Sequence, residues 1–280
     1  MIERRHPLAT VLLHVALVAS AGVAVIPFVW VICASIKRGE DLFAYTFLPL
    51  DGLHRLTLSN YQRLLTEVPM QRWALNSIFL AATHTVMAVL LSSLGGFALA
   101  KYEFAGKRLL MGVMLATLLL PGQVLLPSLY EQLDRVGWVN SYFGILIPGA
   151  VSVFGMLLFR QAMRGVPDEL LAAARVDGCS EFRLWWDIAL PCVRPMVGAY
   201  TLMGFLSTWN SFLWPQIVLK DEAKYTLPIG LSSLTALPEY QSDYGILMAG
   251  TVLSIAPVLL LFLALQREMI DGLTTGAVKG

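Results

Sequence analysis

Six long apolar blocks, none containing an Asp, Glu, Lys or Arg, decide what this chain can fold into. They run over 8–36, 74–100, 109–129, 142–159, 196–219 and 244–265. About 20 helical residues cover the hydrocarbon core of a bilayer. A soluble domain is roughly a quarter charged; this chain is 14% charged and 57% hydrophobic. The blocks therefore predict an all-α integral membrane protein with six transmembrane helices. The first block exceeds the roughly 7–15 apolar residues of a signal peptide, so it is expected to stay as an uncleaved span, kinked at Pro27. Pro121, Pro127 and Pro148 interrupt the third and fourth blocks. The chain divides into 1–72 (first span and outer loop), 73–267 (transmembrane core) and 268–280 (tail). Within 1–72, Thr57–Val68 reads as a short interfacial helix capped by Ser59 or Asn60.

The blocks also exclude functions. Carriers coupled to protons or sodium bury charged residues at the coupling site, whereas apart from Cys and Tyr, His14 and His84 are the only ionisable side chains in these spans. Among Thr83 and Thr85, His84 reads as a helix-packing residue rather than a ligand. Ala105-Gly106-Lys107-Arg108 lacks the Ser/Thr and upstream Gly of a phosphate loop, and no hydrolase or metalloprotease motif occurs. The chain is thus expected to be no enzyme and to bind no cofactor or metal of its own. With no basic block it is expected to bind no nucleic acid. Cys33, Cys179 and Cys192 lack metal spacing and read as incidental thiols.

With the N-terminus inside, twelve of the twenty Lys and Arg fall on the inner side. Five of the eight outer ones lie in the first outer loop, which runs against the other loops. Both termini come out cytosolic. So does the stretch Val166–Pro195, which with its flank from Arg160 carries ten charged residues between two long blocks. Pro167, Asp168 and Glu169 suit a helix start. Leu170, Leu171, Ala174 and Val176 give that helix an apolar side, and Gly178 fits a left-handed stop. Ser180 then caps a second helix through Phe182, Trp185, Trp186 and Ile188, expected to stop before Pro191. Two readings fit this pattern equally well. The segment docks a partner outside the bilayer, or it lies on the membrane surface with its tryptophans at headgroup level.

The order of residues resembles a known family. Ala172-Ala173-Ala174, Asp177-Gly178 and Ile188-x-Leu190-Pro191 resemble the "EAA" loop of permeases of ATP-binding-cassette (ABC) importers, with Ala172 where that motif has Glu. Glu169 lies three residues earlier, on nearly the same helix face. Asn76-Ser77, Gly96-Phe97-Ala98-x-Ala100-Lys101-Tyr102, Trp209-Asn210-x-Phe212-Leu213-Trp214-Pro215, Tyr225-Thr226-Leu227-Pro228 and the closing Gly272–Gly280 are similar to the carbohydrate-type permeases, the smaller maltose-type subunit among them.

The resemblance implies the type I importer permease fold, in a bacterial or archaeal plasma membrane. It implies a second permease subunit, a cytosolic ATPase dimer that uses ATP and Mg, and an extracytoplasmic solute-binding protein. Glu169, Ala172, Ala173, Ala174, Asp177, Gly178, Ile188 and Pro191 would form the ATPase-coupling loop. On its own, Gln266–Gly280 is expected to be a disordered polar tail; by resemblance Gly272, Thr274, Gly276 and Lys279 reach the ATPase. Trp209, Asn210 and Trp214 are candidates for the solute pathway, since aromatic faces stack on sugars and a span Asn seeks a hydrogen-bond partner. Helix packing or an aromatic belt accounts for them equally well. The rival functions are a secondary carrier or facilitator, and a membrane scaffold that transports nothing.

Overall fold

The computed structural model describes residues 7–49, 52–235 and 244–275, and all regular structure among them is helical. The chain forms two compact units, one comprising 1–70 and 231–255, the other 71–230 and 256–280.

In the first unit, α1 (Pro7–Ser35) is a 29-residue apolar helix that passes through Pro27. Its exposed Val, Leu, Ile and Phe side chains suit lipid contact. The helix α2 (Ser59–Thr66) follows. The expected caps are corrected here. Leu58 occupies the cap position, and the Ser59 N–H donates to Thr57 Oγ1 at 3.1 Å. Asn60 is buried, and its amide donates to Ser35 O and Lys37 O, both at 2.8 Å. It satisfies carbonyls left open where α1 ends, which is why a polar residue is tolerated there.

In the second unit, α3 (Met70–Lys101) is one unbroken helix of 32 residues. The next two spans are broken near prolines. α4 (Lys107–Thr117) ends in tight turns before Pro121, and the chain bends by 93° into Gly122–Arg135, which contains α5 (Leu126–Arg135). α6 (Phe143–Gly149) and α7 (Val153–Met163) meet at 44°, just after Pro148. Ser152 caps α7, its hydroxyl accepting from the Gly155 N–H at 3.0 Å.

The loop helix α8 (Asp168–Val176) leads into α9 (Glu181–Arg183), a π-helical segment Leu184–Ala189, and α10 (Leu190–Cys192). α11 (Arg194–Trp209) turns away at 87°. The fifth span is not continuous to Leu219 as expected. It breaks at Asn210–Phe212 and resumes as α12 (Leu213–Val218), followed by α13 (Leu227–Leu234).

The last helix, α14 (Tyr244–Thr275), runs past the sixth block. The expectation of a disordered tail from Gln266 is therefore corrected as far as Thr275. Gly272 and Thr274 lie on this helix, while Gly276 and Lys279 fall outside the described residues. Among the described residues, three helices are long and apolar enough to cross a membrane, and three bent pairs pass the same test when each is joined.

Helix packing in the second unit sets the loop's position. A Cβ on Gly96 would lie 2.5 Å from Phe159 Cβ and 2.8 Å from Arg160 N, so α3 and α7 touch backbone to backbone. His84 reads as expected: its Nδ1 lies 3.0 Å from Thr208 Oγ1, and its ring packs on Gly149.

Candidate functional site

The charged loop is a folded unit seated on its neighbours. Leu171, Ala174, Leu184, Trp185 and Ala189 are buried in one cluster with Phe97, Phe159, Met163 and Tyr200. The apolar side expected for α8 therefore divides. Leu171 and Ala174 point inward, while Leu170 and Val176 are 44% and 89% exposed. Helical phase gives the order of exposure: Val176 lies opposite the Leu171–Ala174 stripe, and Leu170 sits at its edge. Phe182 and Trp186, one turn apart, are also exposed. Trp185, expected with Trp186 at headgroup level in the membrane-surface reading, is instead buried.

Gly178 ends α8 in the left-handed conformation, at φ +84°. Its N–H donates to Arg175 O and the Cys179 N–H to Ala174 O, both at 3.0 Å, the paired bonds of a Schellman stop. Ser180 caps the second helix as expected, its hydroxyl accepting from the Arg183 N–H at 3.4 Å. That helix does not stop before Pro191 but continues to Cys192. The π-helical turns over Leu184–Ala189 explain this. Their wider backbone relieves the clash between a proline ring and the carbonyl four residues earlier.

Pairings that the sequence did not show fasten both halves of the loop. The Lys101 ammonium, buried with its side chain only 6% exposed, donates to Val166 O at 2.5 Å and Asp168 Oδ1 at 2.6 Å. The Tyr102 hydroxyl donates to Glu181 Oε2. Arg175 clamps Glu181 through two bonds, at 2.8 and 3.1 Å. The Arg175 and Tyr102 hydrogen bonds hold the Glu181 carboxyl down to about 2, so it is charged at any physiological pH. Burial, then the bond to Glu181, pushes the Tyr102 phenol up. Lys101 and Tyr102 lie 65 to 79 residues from their partners, so local sequence gives no signal of the pairing.

The motif residues are placed as follows. Glu169, Ala172, Ala173, Asp177, Gly178 and Pro191 are exposed, Ala174 is buried, and Ile188 is half-buried. Two other motif fragments meet each other. Asn76 Nδ2 donates to Ala223 O at 3.1 Å and Tyr225 O at 2.9 Å, and the Leu227 N–H donates to Ser77 Oγ at 2.7 Å. Of the pathway candidates, Trp209 is 3% exposed and stacks on Phe205. Asn210 is exposed, its amide donating to Leu206 O at 3.0 Å. Trp214 donates from Nε1 to Gly144 O at 3.1 Å.

The profile of the family described as "binding-protein-dependent transport system inner membrane component" matches residues 88–269, which include the whole loop. The chain belongs to this family. It is a multi-pass inner-membrane permease component, not an enzyme. The permease is 35% identical to the arabinooligosaccharide transport system permease AraQ of Halalkalibacterium halodurans, over 100% of both chains. It is 30% identical to the lactose transport system permease LacG of Rhizobium radiobacter, again over 100% of both. It shares 28% identity with the sn-glycerol-3-phosphate permease UgpE of Escherichia coli, over 98% of each. Its fold matches a chain of a bacterial ABC transporter involved in alginate import, with TM-score 0.83 and 22% identity, covering 96% of this chain and 99% of that one.

Proposed function

We propose that this permease forms half of the pathway by which an ATP-driven importer moves a sugar or sugar-like solute. A second permease subunit forms the other half, and an extracytoplasmic binding protein delivers the solute. A cytosolic ATPase dimer grips the Val166–Pro195 loop; ATP and Mg belong to it, and both termini of the permease lie on its side. One observation carries this reading. The loop is rigidly seated through Leu171, Ala174 and Trp185, yet it turns Leu170, Val176 and Phe182 outward. Apolar side chains projecting from a charged segment favour burial against a partner. Glu169, Ala172, Ala173 and Asp177 share the exposed surface, and Gly272, Thr274, Gly276 and Lys279 would add a second contact from the tail.

The exposed elbow at Leu118–Pro121 supports the second subunit. Leu119 is 83% exposed beside a broken helix. Non-helical backbone at membrane depth persists where protein or a water-filled cavity covers it. Asn210, exposed at the break in the fifth span, is our candidate for solute contact, with Trp209 and Trp214 shaping the walls beside it. The sugar class rests on the full-length relatives. Uptake of labelled arabinooligosaccharides, lactose and glycerol-3-phosphate, compared between cells with and without this permease, tests it. Loss of uptake for one of the three is expected; unchanged uptake of all sugars tried would contradict it.

Gly178 sets the angle of the grip. A Cβ there meets nothing within 4 Å, so substitution costs backbone strain alone. Gly178→Val should cost roughly 1 kcal/mol or more and lower solute moved per ATP in reconstituted vesicles. Gly178→Asn, which tolerates the left-handed region, should stay near wild type. Equal transport by both variants would show that the bend is not used.

A further inference from the structure

The loop is fastened to a helix that is neither of its covalent neighbours. It connects α7 to α11 in sequence, yet its polar anchors come from the end of α3. Lys101 holds the first half through Val166 O and Asp168, and Tyr102 holds the second half through Glu181. At its other end α3 makes a second set of specific bonds. Trp73 Nε1 donates to Glu222 O at 3.1 Å, Asn76 to Ala223 O and Tyr225 O, and Ser77 accepts from the Leu227 N–H. The stretch from Asn76 to Lys101 is helical throughout. At 1.5 Å per residue it spans about 38 Å, more than the roughly 30 Å of a bilayer's hydrocarbon core. The segment Glu222–Leu227 and the loop therefore sit at opposite ends of one rod.

Three other routes through this unit, α4–α5, α6–α7 and the loop into α11, are bent by 93°, 44° and 87° at their breaks. A displacement applied to the loop is absorbed at such joints and carried by an unbroken helix. We propose that α3 is the transmission rod of this permease. Lys101 and Tyr102 are positioning residues that clamp it to the ATPase-facing loop, and Trp73, Asn76 and Ser77 clamp it to the Glu222–Leu227 segment. The proposal rests on the docking reading given above. The Lys101 clamp is built to bear load. Its ammonium is shielded from water and bonded at once to a backbone carbonyl and a carboxylate, so it has few alternative partners. Coupling is reciprocal, so the rod also carries the signal of a docked binding protein inward.

The test uses the assembled importer in proteoliposomes: both permeases, the ATPase and the binding protein. Lys101→Met, Tyr102→Phe and Asn76→Ala are compared with wild type and with Lys101→Arg. The Met and Ala variants and Tyr102→Phe should co-purify with the ATPase and hydrolyse ATP. They should move about tenfold less solute per ATP, with a similar fall in stimulation of hydrolysis by loaded binding protein. Lys101→Arg, which keeps the charge and the donors, should recover most of the transport. Tyr102→Phe removes one oxygen and keeps the ring contact with Phe97, so it decides the matter should Lys101→Met fail to assemble. Unchanged solute per ATP in Tyr102→Phe and Asn76→Ala would overturn the rod. So would a defect that Lys101→Arg shares in full. Failure of the docking reading looks different: variants of the loop's exposed face would leave ATPase association intact.

Discussion

Gly96→Ala should lower the melting temperature of the purified permease more than Gly95→Ala or Gly112→Ala. The new Cβ would sit 2.5 Å from Phe159 Cβ, 2.8 Å from Arg160 N and 2.9 Å from Phe159 C. Two of these are backbone atoms of α7, so no rotamer change clears the space and the helices must part. Overpacking of this kind costs about 1–3 kcal/mol, and Gly96→Val should exceed that range. Gly95 and Gly112 serve as controls. At Gly95 the obstructing atoms belong to the flexible Met156 side chain, so Gly95→Ala should cost less. At Gly112 nothing lies within 4 Å, so Gly112→Ala should be neutral or slightly stabilising. The ranking is read by thermal unfolding in detergent. Equal melting temperatures for Gly96→Ala and Gly112→Ala would contradict the close approach of α3 and α7.

The second large effect concerns association rather than folding. Val176 and Phe182 are 89% and 61% exposed, so replacing them by Gln removes little within the permease beyond the edge contact of Phe182 with Trp185. Thermal stability of Val176→Gln/Phe182→Gln should match wild type. Against the ATPase, each side chain is expected to act as an anchor, and losing one such anchor weakens binding by about 2 kcal/mol, roughly thirtyfold. The double variant should therefore lose the ATPase during purification while remaining folded in the membrane. Leu171→Gln should do the reverse. That side chain is 1% exposed, so the variant should lose stability first.

The fold was legible where a constraint is local. Charge-free blocks mark spans because an ionised side chain in hydrocarbon is costly, and Gly178 marks its bend because few other residues adopt a positive φ. The break before Pro121 follows from the missing N–H, whereas Pro148 lies inside α6 and the bend comes after it. The break at Asn210–Phe212 lies just ahead of Pro215, which denies Ser211 O its helical bond, but it leaves hydropathy high, so the block there read as continuous. The run of α14 to Thr275 was hidden by polar residues, which lower hydropathy without forbidding a helix. Pro191 misled in the opposite direction, since π-helical turns absorb a proline that an α-helix would not.

The loop's exposed face was legible only in part. Periodicity grouped four apolar residues of α8, but which of them turn inward depends on where Phe159 and Met163 stand. The clamps were not legible at all, because Lys101, Tyr102 and Glu181 meet only in three dimensions. Asn76-Ser77 and Tyr225–Pro228 were read as separate fragments, and the structure joins them by hydrogen bonds.

The central claim is that the Val166–Pro195 loop is gripped by the ATPase. The direct measurement is cross-linking from a single thiol, Val176→Cys, in a permease whose Cys33, Cys179 and Cys192 are replaced by serine. In the assembled importer, a short bifunctional reagent should join position 176 to the ATPase subunit in high yield. A membrane-soluble thiol probe should label the same position only when the ATPase is absent. No cross-link in an assembled, ATP-hydrolysing importer, with labelling from the lipid phase unchanged by the ATPase, would contradict the account.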